Sequence, residues 1–160
     1  MMAQGRIVQI SISPGGVPKL PVPEARVTDL GLEGDLHREP ELHGGPERAL
    51  CIFPIEQIRV LRAEGHSVFP GAMGENLTVE GLDWTRVTPG SRLELGASVL
   101  IEVTRYTAPC SNIKPYFAEG DFSRVSQKRH PGGSRVYARV LSEGMIRQGD
   151  TVRLVHQEPE

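Results

Sequence analysis

Short runs in which apolar and polar residues alternate, or β-branched residues cluster, recur along the chain. They fall at 6–12, 50–53, 76–79, 92–95, 99–104, 136–141 and 151–155. A period of two sets one face of each run against a core and the other outward, so the pattern predicts seven short strands. Gly96-Ala97 stands between two of them and predicts a tight hairpin connection. One segment departs from this rhythm. After Phe53, Pro54 suits a first helical position, and Ile55, Ile58, Val60 and Leu61 supply an apolar stripe. Glu56 lies early, Arg59 and Arg62 lie late, and Gly65 closes the helix. A shorter helix is predicted over 112–118, with Ile113, Tyr116 and Phe117 inward.

Glycine and proline, 18 and 13 of them, are spread along the whole chain rather than gathered in a linker. They punctuate strands, which favours a mainly β fold over a helical bundle. The expected architecture is a mainly antiparallel β-barrel with a few short helices. A length of 160 residues suits a single domain over 1–160, large enough to bury on the order of 70% of its unfolded surface. A net charge of −2 gives no general surface for nucleic acid or an anionic membrane. Residues 1–6 have no apolar core of signal-peptide length, and no later run is long enough to span a bilayer. Two cysteines in unlike settings make a poor disulfide framework, so a reducing cytoplasm is expected.

Those two cysteines carry most of the candidate chemistry. Cys51, in Ala49-Leu50-Cys51-Ile52-Phe53, reads as a small apolar side chain filling the core. Cys110 follows Pro109, which stiffens the backbone, and precedes Ser111 and Asn112, which suit the start of a helical turn. A sulfur placed after a strand and at a helix start meets partly positive amides, a setting for attack, sulfur carriage or metal binding.

Two loops stand beside it. Residues 31–37 and 42–48 bring Asp35, His37, His43, Gly44, Gly45 and Arg48 together in sequence. Paired glycines let a ligand approach backbone amides, and arginine offers a forked cation. Residues 70–77 place Glu75 and Asn76 directly before a strand. A zinc set from Asp35, His37, His43 and Cys110 lacks the close spacings that make such sites recognisable. A cysteine-histidine-asparagine hydrolase with Cys110 as nucleophile lacks a thiol-protease signature.

Taken in order, the residues resemble one known family. His43-Gly44-Gly45-Pro46-Glu47-Arg48-Ala49, the run from Pro70 to Leu82 containing Gly74-Glu75-Asn76, and Ala108-Pro109-Cys110 are similar to the motifs of the MOSC domain. That domain is named after the C-terminal part of molybdenum cofactor sulfurase. Gly15-Gly16-Val17-Pro18-Lys19 looks like its opening motif and Gly34-Asp35-Leu36-His37 like its acidic-histidine motif. The segment from Arg135 to Leu141 and Gly149-Asp150-Thr151-Val152 resemble its closing strands, so the likeness covers about 7–155.

The resemblance implies a MOSC-type β-barrel that binds molybdenum cofactor (molybdopterin), with Cys110 as molybdenum or sulfur ligand. Thiolate suits a sulfur-rich metal centre better than carboxylate does. Lys19, Arg48 and Arg135 match basic positions of the family and, with His43, Gly44, Gly45, Glu75 and Asn76, are expected to bind the cofactor. Asp35, His37 and His43 are expected to move protons. The implied activity is two-electron reduction of an N-hydroxylated substrate as an oxidoreductase, with a sulfur carrier serving other molybdoenzymes as the alternative. A cofactor-free thiol hydrolase is a third reading. Partners would be a redox protein or a cysteine desulfurase. No pyridoxal phosphate is expected on this chain, whose length leaves no room for the desulfurase domain of full sulfurases. Of the other histidines, His66 and His156 are expected to be solvated, and Trp84 to pack at the surface rather than against a pterin.

Overall fold

The computed structural model describes residues 4–36 and 45–155. His37, His43, Gly44 and His156 therefore lie outside the described residues. The chain runs β1 (Gln4–Ile12), β2 (Leu20–Val22), β3 (Glu24–Thr28), β4 (Gly31–Leu32), β5 (Leu50–Pro54), α1 (Ile55–Ala63) and β6 (Leu77–Glu80). It continues through β7 (Arg92–Leu95), β8 (Val99–Tyr106), β9 (Val136–Ser142), β10 (Gly144–Arg147) and β11 (Thr151–Leu154).

All seven expected strands form, and they close on themselves. Around the barrel the order is β1, β6, β5, β9, β8, β7, β11 and back to β1. Every neighbour is antiparallel except β5 and β6, which run parallel. A parallel pair needs a crossover, and α1 lies on it. The turn at Gly96-Ala97 joins β7 to β8, with Leu95 opposite Val99. β2 hangs from β1, while β3, β4 and β10 form a separate three-stranded sheet. These four short strands were not expected. In particular, Gly31–Leu32 is strand β4 rather than the start of a loop, because pairing with Val27 and Thr28 supplies what its length cannot.

Strand parity decides what faces the barrel interior. Leu50, Ile52, Leu77, Val79, Val136 and Ala138 point inward to the main core. β5 is nevertheless buried along its whole length, as expected of a strand covered on both faces. Phe53 faces outward into a second core with Ile58 and Leu61 of α1 and with Ile113, Phe117 and Val125. Cys51 shares that outward parity.

The helix starts at Ile55, with Pro54 as its extended N-cap. Ile55, Ile58 and Leu61 are buried, but Val60 is 45% exposed and does not belong to the stripe. The helix stops as expected. Gly65 takes φ +98°, and the amides of Gly65 and His66 donate to the carbonyls of Arg62 and Leu61, a Schellman closure. The second expected helix is instead a 3₁₀ turn over Ser111–Tyr116, interrupted by Pro115 and followed by 3₁₀ turns at Ala118–Gly120 and Phe122–Val125. Among the described residues no helix is long and apolar enough to cross a membrane.

Candidate functional site

A pocket with about 70 Å³ of water-accessible space opens on the outer side of the β5–β9 wall. It is lined by Lys19, Arg48, Asn76, Cys110 and Arg135 among the candidate site residues, by Cys51, which was expected only to fill the core, and by Tyr137, which was not singled out. Val17, Leu36, Met73 and Ile113 complete its apolar side.

The floor is a hydrogen-bonded polar network. Lys19 Nζ donates to Asp35 Oδ1 at 2.6 Å, with side chains 6% and 2% exposed. The Ser13 amide donates to the same oxygen at 3.0 Å, and Asn76 Nδ2 donates to Asp35 Oδ2 at 2.9 Å. Asn76 Oδ1 in turn accepts from the Cys51 amide at 3.0 Å. One asparagine thus ties the loop bearing Asp35 to β1 and β5. Burying an ion pair is costly unless its other polar atoms find partners, and both Asp35 oxygens do. The loop before β6 can approach because of Gly71. At φ +89° its carbonyl accepts from the Lys19 amide at 2.8 Å, and a Cβ there would lie 2.2 Å from the Lys19 carbonyl oxygen.

Arg135 forms the next layer. It is 6% exposed, and its Nη1 donates to the Met73 carbonyl at 2.6 Å. Its Nε is buried without a hydrogen-bond partner among the described residues. The Arg48 guanidinium lies 5.7 Å above the Tyr137 ring, within cation–π range. Burial pushes the Tyr137 phenol up to about 12, with the Cys51 sulfur adding to the effect and Arg135 and Arg48 opposing it.

Cys110 forms the rim. It is half-buried and, in extended conformation, caps the 3₁₀ turn Ser111–Tyr116, so the expected placement after a strand and at a helical start holds. Cys51, 6% exposed, is not merely a core residue: it faces the same pocket. Burial pushes its thiol up to about 12 against the pull of Arg135, which keeps it protonated. Strand parity was the missed signal for both Cys51 and Tyr137. Each sits between two inward residues, Leu50 and Ile52 or Val136 and Ala138, and must face out.

Three other candidates stand apart from the lining. Asp35 lies behind the wall with both oxygens committed. Gly45 is exposed and opens the 3₁₀ turn Pro46–Arg48. Glu75 is fully buried, accepting from the Thr78 hydroxyl at 3.2 Å. Burial pushes its carboxyl up to about 6, while the amides of Gly71 and Glu75 and the Arg135 guanidinium pull the other way. Trp84 is partly buried against the main core, with Nε1 donating to the Ser134 carbonyl, outside the pocket. His130 is exposed, whereas His66 is not solvated as expected: its side chain is only 9% exposed.

Known proteins are similar to this chain in sequence and in fold. YiiM of Escherichia coli (strain K12) is 34% identical over 119 residues, covering 71% of this chain and 53% of its own length. The chain thus spans about half of that relative. A protein named "Reductase" from Gibberella moniliformis is 31% identical over 134 residues, which make up 23% of it and 79% of this chain. The crystal structure of YiiM from Geobacillus stearothermophilus superposes with a TM-score of 0.69 at 27% identity, covering 95% of this chain and 75% of that one. The MOSC domain model, of a family associated with molybdenum cofactor sulfurase-like proteins and reductases, matches residues 39–153. With the barrel and the Cys110 pocket in place, the chain belongs to the MOSC domain family.

Proposed function

We propose that the protein binds molybdenum cofactor in this pocket, with Cys110 as the molybdenum or sulfur ligand. The observation that carries this reading is a half-exposed thiol sharing a pocket with a buried guanidinium whose Nε has no partner among the described residues. The donor set fits the group. A metal that arrives with its own sulfur ligands needs one further soft donor, which Cys110 supplies. Arg135 and Arg48 suit an anionic phosphate, and Gly74 offers backbone without a side chain in the way. When bound, the cofactor supplies a two-electron redox centre.

The activity that follows is reduction of an N-hydroxylated base. The N–O bond breaks, two electrons come from an external reductant, and two protons complete the amine and water. Proton transfer is assigned to His37 and His43, since histidine changes charge near neutrality. Asp35, locked to Lys19, holds the floor of the pocket together. The half-exposed sulfur of Cys110 also suits exchange with a second protein. This favours, as a second reading, a non-enzymatic carrier that receives sulfur from a cysteine desulfurase and delivers it to other molybdoenzymes.

Expression in a host that makes the cofactor, followed by metal analysis of wild type and Cys110→Ser, tests the proposal. Near-stoichiometric molybdenum in wild type, lost in the variant, is expected. Near-zero metal in both folded proteins would refute cofactor binding. With metal present, a dithionite-driven assay on a hydroxylamine compound reads the reductase. A carrier instead holds cyanide-releasable sulfur that Cys110→Ser abolishes.

A further inference from the structure

The segment that carries Cys110 has no strand partner of its own. After the Thr107 amide donates to the Arg135 carbonyl at 3.0 Å, the chain leaves the barrel and runs through three short 3₁₀ turns to Val125. Ile113, Phe117 and Val125 anchor it in the second core, and its polar and aromatic fastenings gather at the turn that follows α1. The Ser67 amide donates to the Tyr116 carbonyl at 2.8 Å. The Ala118 amide donates to His66 Nδ1 at 3.0 Å, and the His66 and Phe117 rings pack with centroids 5.0 Å apart. Phe69 meets Tyr116 edge-on at 5.5 Å. Arg124 grips Glu64 through Nε and Nη2, each at 2.7 Å.

We infer that His66 is a positioning residue: as a neutral acceptor it latches the 111–125 segment to the end of α1 and thereby sets where Cys110 stands at the pocket rim. The chemistry requires the neutral ring. A protonated imidazole carries N–H on both nitrogens and would turn a donor toward the Ala118 amide. Ala118 is followed by Glu119 at φ +57°, a conformation that a non-glycine residue rarely adopts without external support. The charged groups around the latch are few. Glu64 Oε1 lies 3.7 Å from His66 Nε2, Arg124 neutralises that carboxylate, and the charge of His130 reaches it. The segment itself adds Lys114, Glu119 and Asp121.

The test reads Cys110 directly and requires no cofactor. Alkylation of Cys110 by iodoacetamide, followed by peptide mass spectrometry, is compared for wild type, His66→Gln and His66→Leu. Glutamine keeps an acceptor oxygen that does not titrate, whereas leucine fills space without one. At pH 8 wild type and His66→Gln should react alike, and His66→Leu roughly threefold faster or more, the factor for one lost hydrogen bond. Amide hydrogen exchange across 111–125 should rank the three proteins in the same order, with the barrel strands unchanged. If His66→Leu does not fold, His66→Ala, which also lacks the acceptor, takes its place. A His66→Leu protein no more reactive than wild type, or a His66→Gln protein as reactive as His66→Leu, overturns the latch.

Discussion

The floor and the rim of the pocket are built by different means. The floor hangs on strands: Asn76 bonds through its backbone and side chain to β1 and β5, and the Lys19–Asp35 pair is enclosed by that ladder. The rim is a run of 3₁₀ turns held by Ile113, Phe117 and Val125 in the second core and by side chains around Glu64, His66 and Phe69. Disturbing the floor should therefore cost global stability, while disturbing the rim should change local order and little else.

The largest expected effect is on the floor. Lys19→Met leaves the Asp35 carboxylate buried with no cation beside it, and unfolding in urea should show a loss of about 3–5 kcal/mol. A loss below about 1 kcal/mol would mean that the pair behaves like a surface contact, and the distinction between floor and rim would fail.

An intermediate effect comes from Glu75, just behind the floor. Its carboxyl is raised from 4.5 to about 6 by burial, so the folded chain holds this proton more tightly than the unfolded chain does. That stabilisation is full below 4.5 and is lost as pH rises through about 6, a change of ~2 kcal/mol. Glu75→Gln removes the titration. The stability of wild type relative to this variant should fall by that amount across the same window, measured by urea unfolding at each pH. A constant difference would place Glu75 in a wetter setting than the floor.

The smallest effect belongs to the rim. The Glu64 side chain is 39% exposed, so Arg124→Gln should cost no more than about 1 kcal/mol globally. Amide hydrogen exchange across 111–125 should nevertheless quicken, with β5 and β6 unchanged. Equal quickening in the strands would show the two regions to be one cooperative unit.

The same contrast explains what could be read in advance. The seven barrel strands carry a period-two pattern that survives in the sequence, and motif order identified Lys19, Asn76, Cys110 and Arg135 as companions. Parity could have added Cys51 and Tyr137, but an apolar environment around Cys51 looked like simple core. The rim was less legible. 3₁₀ turns have no sequence period, and Pro115 falls where a helix was expected. His66 owes its role to Ala118, a residue 52 positions away that no local pattern connects to it. The small sheet of β3, β4 and β10 was invisible for a similar reason: its strands are two to five residues long and gain their stability from distant partners.

The seam between β1 and β11 has a consequence for synthesis. Gln4, Gly5 and Arg6 wait for Arg153, Val152 and Thr151, so the barrel cannot close until almost the whole described chain has left the ribosome. Until then β1, which contributes Ile7 and Ile10 to the interior, has an open edge along its first residues. Closure over so long a separation is slow, and an unpaired edge with apolar neighbours invites pairing between nascent chains. Yield in the cell should therefore respond to chaperone supply and growth temperature more strongly than the stability of the finished barrel would suggest.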